Sequence, residues 1–203
     1  MSINVSTRVL ATLALLVAVT MVGVVVPAAA DEPVTSDVHS LTSGEDVGDA
    51  QLVRGPNGVS MELTTTQLDP GAAYTVWWVV FNNPEYCVDG CDPSDSGIPE
   101  VQATVLGAAG HVVDATGQSS FAGHLQVGDT SGDSFPPLLP GDSVGLVDVM
   151  KAEIHVAVRT HGTPIPGMVA EQISTFNGGG CSDPMNPNDA CETQQVAVFP
   201  GVD

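Results

Sequence analysis

Positive charge is what this sequence has least of: four lysines and arginines stand against 24 aspartates and glutamates, for a formal net charge of −20 at pH 7. A surface this acidic repels phosphate backbones and anionic lipid, which excludes nucleic acid as a partner and electrostatic adhesion to membranes. Several catalytic signatures are missing too. There is no H-E-x-x-H pair, P-loop or G-x-G-x-x-G turn, so nothing in linear order names a zinc protease or a nucleotide site. Beyond the first thirty residues no amphipathic helical stretch of about ten residues occurs, and no fixed-period repeat is found.

What is present begins with the N-terminus. Arg8 in a short polar lead, an apolar run from Val9 to Val26, Pro27 and the triplet Ala28-Ala29-Ala30 read as a secretory signal peptide, residues 1–30, cleaved after Ala30. The competing reading is a retained membrane anchor, since the apolar run nearly reaches spanning length. Pro27 and the alanines favour the peptidase. The expected location is secreted, extracellular or periplasmic, with no membrane contact after cleavage and an extracellular protein or envelope component as partner. The exported chain keeps only Arg54, Lys151 and Arg159 as cations. Its acid excess reads as a solvated surface suited to salty water, where self-repulsion is screened, or else as a sink for divalent cations.

Four cysteines in an exported chain are expected to be disulfides. Three pairings are open. The local ones, Cys87 with Cys91 in "CVDGC" and Cys181 with Cys191 in "CSDPMNPNDAC", are favoured because both lie in turn-rich loops. Zinc is the competing use, but C-x3-C and C-x9-C lack the paired knuckles of structural zinc sites.

Residues 31–48 are polar and acidic with scattered Pro and Gly, and read as a flexible segment holding a solvated His39. From residue 49 to 203, short runs of Val, Thr, Leu and aromatics alternate with turn residues, the rhythm of one antiparallel all-β domain, a Greek-key-type β-sandwich stapled by two local disulfides. In "GVSMELTTTQL", Val59, Met61 and Leu63 alternate with polar residues and point to the core. "AYTVWWVVF" is apolar at nearly every position, which requires cover on both faces and a central place. "VQATVLGAAGHVVDATGQSSFAGHLQV" reads as three strands, the last two joined at Gly117-Gln118. In "AEIHVAVRTH", Ile154, Val156 and Val158 point inward, and "GMVAEQISTF" and "QQVAVF" complete the sheet.

Histidines are the main candidates for chemistry. His155 and His161 are six residues apart, roughly 20 Å along one strand, too far to share an ion whose ligands sit at about 2 Å. Their parity matches Glu153 and Arg159, so their face reads as the wetter one. If Gly117-Gln118 is a two-residue hairpin turn, His111 falls opposite His124, with Cβ atoms about 5 Å apart. Two readings stay open for that pair: solvated sheet histidines, or a copper or zinc site completed by His155 or a carboxylate. Acidic loops offer calcium oxygen ligands at Asp89, Asp92 and Asp95, at Asp129 and Asp133, and at Asp183 and Asp189, although chance grouping is expected in so acidic a chain.

"LDPGAAYTVWW" resembles the strand-entry segment of Cu/Zn superoxide dismutases and of the chordin-type repeat domain, both antiparallel sandwiches. "VAVRTHGTPIPGMVAEQI" is similar to the chordin-type V-H-T-x-x-x-P-G-G-E-I-x-G-Q segment, with His161 at its histidine, although Thr160 and His161 are inverted and Gln172 falls one position early. The resemblance implies the sandwich and a secreted binding role. It does not carry copper chemistry, because Val76-Trp77-Trp78 stands where the dismutases have H-V-H.

Overall fold

A computed structural model describes residues 32–131, 144–181 and 191–202. The expected leader, Asp133, Asp183 and Asp189 lie outside the described residues. Among the described residues eight strands form the fold: β1 (Val34–Ser40), β2 (Asp46–Gly55), β3 (Gly58–Thr65), β4 (Ala73–Phe81), β5 (Ala103–Val112), β6 (Ser119–Gln126), β7 (Glu153–Gly162) and β8 (Thr193–Phe199). All their ladders are antiparallel, in the order β5-β4-β7-β8-β1-β2-β3-β6. Crossovers at β4-β7, β8-β1 and β3-β6 give the expected Greek-key-type sandwich, curled toward a barrel.

Alternation in β3 works as expected, with Val59, Met61 and Leu63 buried in the interior and Ser60, Glu62 and Thr64 outside. Strand β4 lies between β5 and β7, and Tyr74, Val76, Trp78 and Val80 fill the interior. Its opposite face is also covered. Trp77 packs with Val105, Ala157 and Phe176, the last reaching in from the segment that follows β7. Two-sided cover is what lets a strand be apolar throughout.

Three readings of the strand pattern are corrected. Residues 34–40 are not a flexible tail: β1 pairs with β2 along its length and with β8 at His39 and Ser40, because Val38 and Val47 are buried while the polar residues between them face water. Residues 167–176 do not form a strand. Gln172 is buried and binds the His161 and Thr163 carbonyls and the Ile165 N–H, pinning the segment as a loop with one helical turn, α1 (Val169–Gln172). This loop lies so close to β5 that a Cβ on Gly110 would sit 2.1 Å from the Ile173 carbonyl oxygen. Glycine is needed there for the close approach.

The third correction concerns residues 101–127, which form two strands that do not pair as a hairpin. β5 joins β4 and β6 joins β3, so β5 and β6 end the ladder on opposite sides. A register shift opposite Val76 and Trp77 leaves Ala108 unpaired, a bulge of the kind that bends a strand at a sheet edge. A Cβ on Gly123 would lie 3.3 Å from the Ala108 Cβ and 3.3 Å from the Trp78 ring. The seam is thus closed by side-chain packing, with Trp78 beneath it.

One end of the interior is closed by Arg54. Its guanidinium, 4 % exposed, donates to the carbonyls of Val149, Ala152 (3.1 Å), Phe199 (3.3 Å) and Pro200 (2.9 Å). A buried charge is tolerable when most of its donors are met by carbonyl dipoles, as both terminal nitrogens are here, while Nε has no partner among the described residues. The group draws together β2, the turn before β7 and the chain after β8. Both disulfides are formed as expected, Cys87–Cys91 and Cys181–Cys191.

Candidate functional site

Each candidate histidine has its own local partner. His111 is opposite Tyr74 in the β4–β5 ladder, bonds the Ser119 hydroxyl and stacks on Phe121 at 4.4 Å; partial burial holds its pKa below the ordinary value. His124 is opposite Ser60 of β3, and its Nδ1 lies 3.0 Å from the Ser60 hydroxyl. The expected His111–His124 opposition therefore fails, because the two strands belong to opposite ends of the ladder. His155 pairs with Glu153 at 2.7 Å and meets Phe81 edge-on. His39 pairs with Asp46 at 2.6 Å.

The reading of the His155 and His161 face as wet is also corrected, since both are buried and His161 is 0 % exposed. Its cover comes from the loop after β7. Arg159, on the same face, donates to the Phe176 carbonyl at 2.9 Å and to Asn177 Oδ1 at 3.2 Å, and its guanidinium stands 4.3 Å above the Phe176 ring. Sequence periodicity reports only which residues share a face, and the loop that buries this one is distant in pattern.

Beneath that loop lies a compact polar centre. His161 Nε2 is 2.9 Å from Thr75 Oγ1, which also accepts the Trp77 indole N–H at 2.7 Å. His161 Nδ1 faces Cys181 Sγ at 3.0 Å. Burial, then the Arg159 charge, pull its pKa down to about 4, against the smaller opposing effect of a backbone hydrogen bond with Gly178. The imidazole is therefore neutral at physiological pH. Among the described residues, the ligand atoms of His161, Cys181 and Cys191 lie within 4.8 Å of one another. No linear pattern marks this group, because His161 and Cys181 are brought together only by the intervening loop.

Asp92 and Asp95, beside the Cys87–Cys91 disulfide, bind the loop itself. Asp95, 2 % exposed, accepts the Val88 and Asp92 N–H groups at 3.2 and 3.0 Å. Asp92 accepts both the N–H and the hydroxyl of Ser94 at 2.6 Å, which lowers its pKa. Asp89 occupies the left-handed region, φ 59°.

A second polar surface is the outer face of β1, β2, β3 and β6. In register across it run Asp37, Asp49, Thr64 and Ser120, and beside them Thr35, Gln51, Glu62 and Ala122. Thr64 and Ser120 share a hydrogen bond at 3.1 Å. Thr35, Asp49, Gln51, Glu62 and Thr64 line a shallow cavity of about 300 Å³.

No family model and no curated protein matches the chain. Among solved structures it is similar to a SOD-like protein from Bacillus subtilis, with 13 % identity over 81 % of this chain and 95 % of that one, at a TM-score of 0.33. It is also similar to the Cu/Zn superoxide dismutase from Brucella abortus, with 17 % identity over 83 % and 99 % of the two chains, at a TM-score of 0.31.

Proposed function

We propose that this protein is a non-catalytic binding module working outside the cytoplasm, and that the outer face of β1-β2-β3-β6 is its contact surface for a cationic segment of an extracellular or envelope protein. The observation that carries the reading is the placement of Asp37 directly opposite Asp49, with Glu62 on the diagonal and hydrogen-bonding Thr35, Gln51 and Thr64 between them. Like charges opposed across a ladder oppose folding, and such local conflicts are typical of surfaces kept for function. Both disulfides are formed, which suits an oxidising compartment. Arg54 and Arg159 are committed to backbone carbonyls inside the fold, so the exposed surface is more one-sidedly acidic than the composition suggests.

The test is binding of the purified, labelled protein to washed envelope preparations of the producing cells, titrated with salt. Saturable binding that weakens with ionic strength and falls at least about tenfold in an Asp37→Asn, Asp49→Asn, Glu62→Gln variant is expected. Absence of binding by the native protein, or unchanged binding by the variant, overturns the reading.

A further inference from the structure

His161 and the Cys181–Cys191 disulfide form a group that the binding role leaves unused. The imidazole is fully buried, and its Nδ1 is directed at Cys181 Sγ at 3.0 Å. Its other nitrogen meets Thr75 Oγ1, whose position is fixed in turn by the Trp77 indole N–H. A histidine ligand held by a hydrogen bond on its far nitrogen is how proteins orient imidazole toward a metal. The hydroxyl has two lone pairs. In the tautomer whose Nε2–H donates to the second lone pair, beside the Trp77 donor, the Nδ1 lone pair faces the sulfurs.

We infer that His161, Cys181 and Cys191 are a redox-gated metal site: closed as a disulfide under oxidising conditions, and opened by a dithiol reductant to bind one zinc ion through two thiolates and one imidazole. In the opening step the Cys181–Cys191 bond breaks and a new S–S bond forms within the dithiol, whose two protons pass to the cysteine sulfurs. Zinc then displaces both protons, forming two Zn–S bonds and one Zn–N bond. The three ligand atoms already lie within 4.8 Å of one another. Zn–S and Zn–N bonds of about 2.3 and 2.0 Å place tetrahedral ligand atoms roughly 3.5–3.8 Å apart, so opening requires the sulfurs to separate by less than about 2 Å from the disulfide distance. The donor set is soft and suits zinc over calcium or magnesium. The fourth position is left to solvent. This inference is independent of the contact surface on β1-β2-β3-β6, which lies on the outer face of other strands.

The experiment uses the full protein carrying Cys87→Ser and Cys91→Ser, so that one cysteine pair remains. It is reduced anaerobically with a phosphine, which takes up water oxygen and delivers two protons to the sulfurs. Cobalt(II) is then titrated as an optical probe, followed by zinc in competition. One ion per chain with thiolate-to-cobalt charge-transfer absorption is expected, together with displacement by zinc and no binding before reduction. His161→Gln should remove the imidazole contribution to the spectrum and weaken binding at least about tenfold, and Thr75→Val should weaken it about tenfold through loss of orientation. Circular dichroism of each variant before reduction establishes that it is folded. A reduced protein that shows no charge-transfer band overturns the inference, as does one whose affinity is unchanged in His161→Gln. So does a reduced protein that unfolds and is not refolded by zinc.

Discussion

Asp37 of β1 faces Asp49 of β2 across the antiparallel ladder, on a sheet face exposed to water. Nothing cationic stands in register beside them on β3, where Thr64 and Glu62 follow. Repulsion between exposed charges is screened as the Debye length falls from about 10 Å at 0.1 M salt to about 3 Å at 1 M. The melting temperature is therefore expected to rise with sodium chloride over this range, and Asp37→Asn to raise it at low salt by an amount that shrinks as salt increases. Calorimetry across a salt series checks this. A melting temperature lowered by Asp37→Asn would mean that the carboxylate is held by an attractive contact.

Arg54 gives the sharpest stability prediction. Its guanidinium serves four backbone carbonyls from two separate stretches of chain. Arg54→Leu keeps an apolar stem but leaves those acceptors without donors, and each buried orphan costs about 1–3 kcal/mol. The expected loss is about 3 kcal/mol or more in urea unfolding, because some carbonyls will regain water. Arg54→Lys should recover only part of it, since one ammonium has three donors and no planar fork.

The cover over β4 can be tested separately from the interior. Trp77 and Phe176 meet edge to face at 4.9 Å, and Arg159 lies over the same ring. Phe176→Ala removes both contacts, at a cost of about 1–3 kcal/mol. Trp77 should then emit at longer wavelength as water reaches the outer face, while Trp78, in the interior, stays blue. Phe176→Ala in a Trp78→Phe background isolates the Trp77 signal. An unchanged Trp77 spectrum there would show that the loop stays closed without its aromatic anchor.

These elements also show how far local pattern reaches. Val59, Met61 and Leu63 reported their face by alternation, and "AYTVWWVVF" reported a two-sided strand, because both signals arise within one strand. The cysteine pairs were legible because each disulfide closes a short loop. β1 was hidden because its single fully buried residue, Val38, is too sparse to make a period, and its pairing comes from β2 and β8. The 167–176 segment looked like a strand because its apolar residues suit one, yet buried Gln172 binds backbone groups that a ladder would have used. Parity assigns His161 to a wet face, because it is blind to a loop folding back over it. The metal-ligand grouping at His161 depends on that same loop and was illegible for the same reason.

The final prediction follows from that burial. His161 has a pKa of about 4 in the fold, against about 6.5 in an unfolded chain. Between these values the unfolded chain binds the proton and the folded one does not, so stability rises with pH through the window. The contribution is complete above about pH 6.5 and is lost as pH falls toward 4, with an upper bound of about 3 kcal/mol. His111, also lowered by burial, adds a slope of the same sign. Asp92, Asp114, Asp129 and Asp148 are lowered by hydrogen bonds to their charged forms, so their contributions disappear only as pH drops through the carboxylate range. His161→Gln, which keeps a polar side chain without a titrating proton, should therefore flatten the stability profile between pH 4 and 6.5 and leave the decline at lower pH in place. Urea unfolding at half-unit pH steps measures this, and an identical slope in the variant would show that His161 is not the group that titrates.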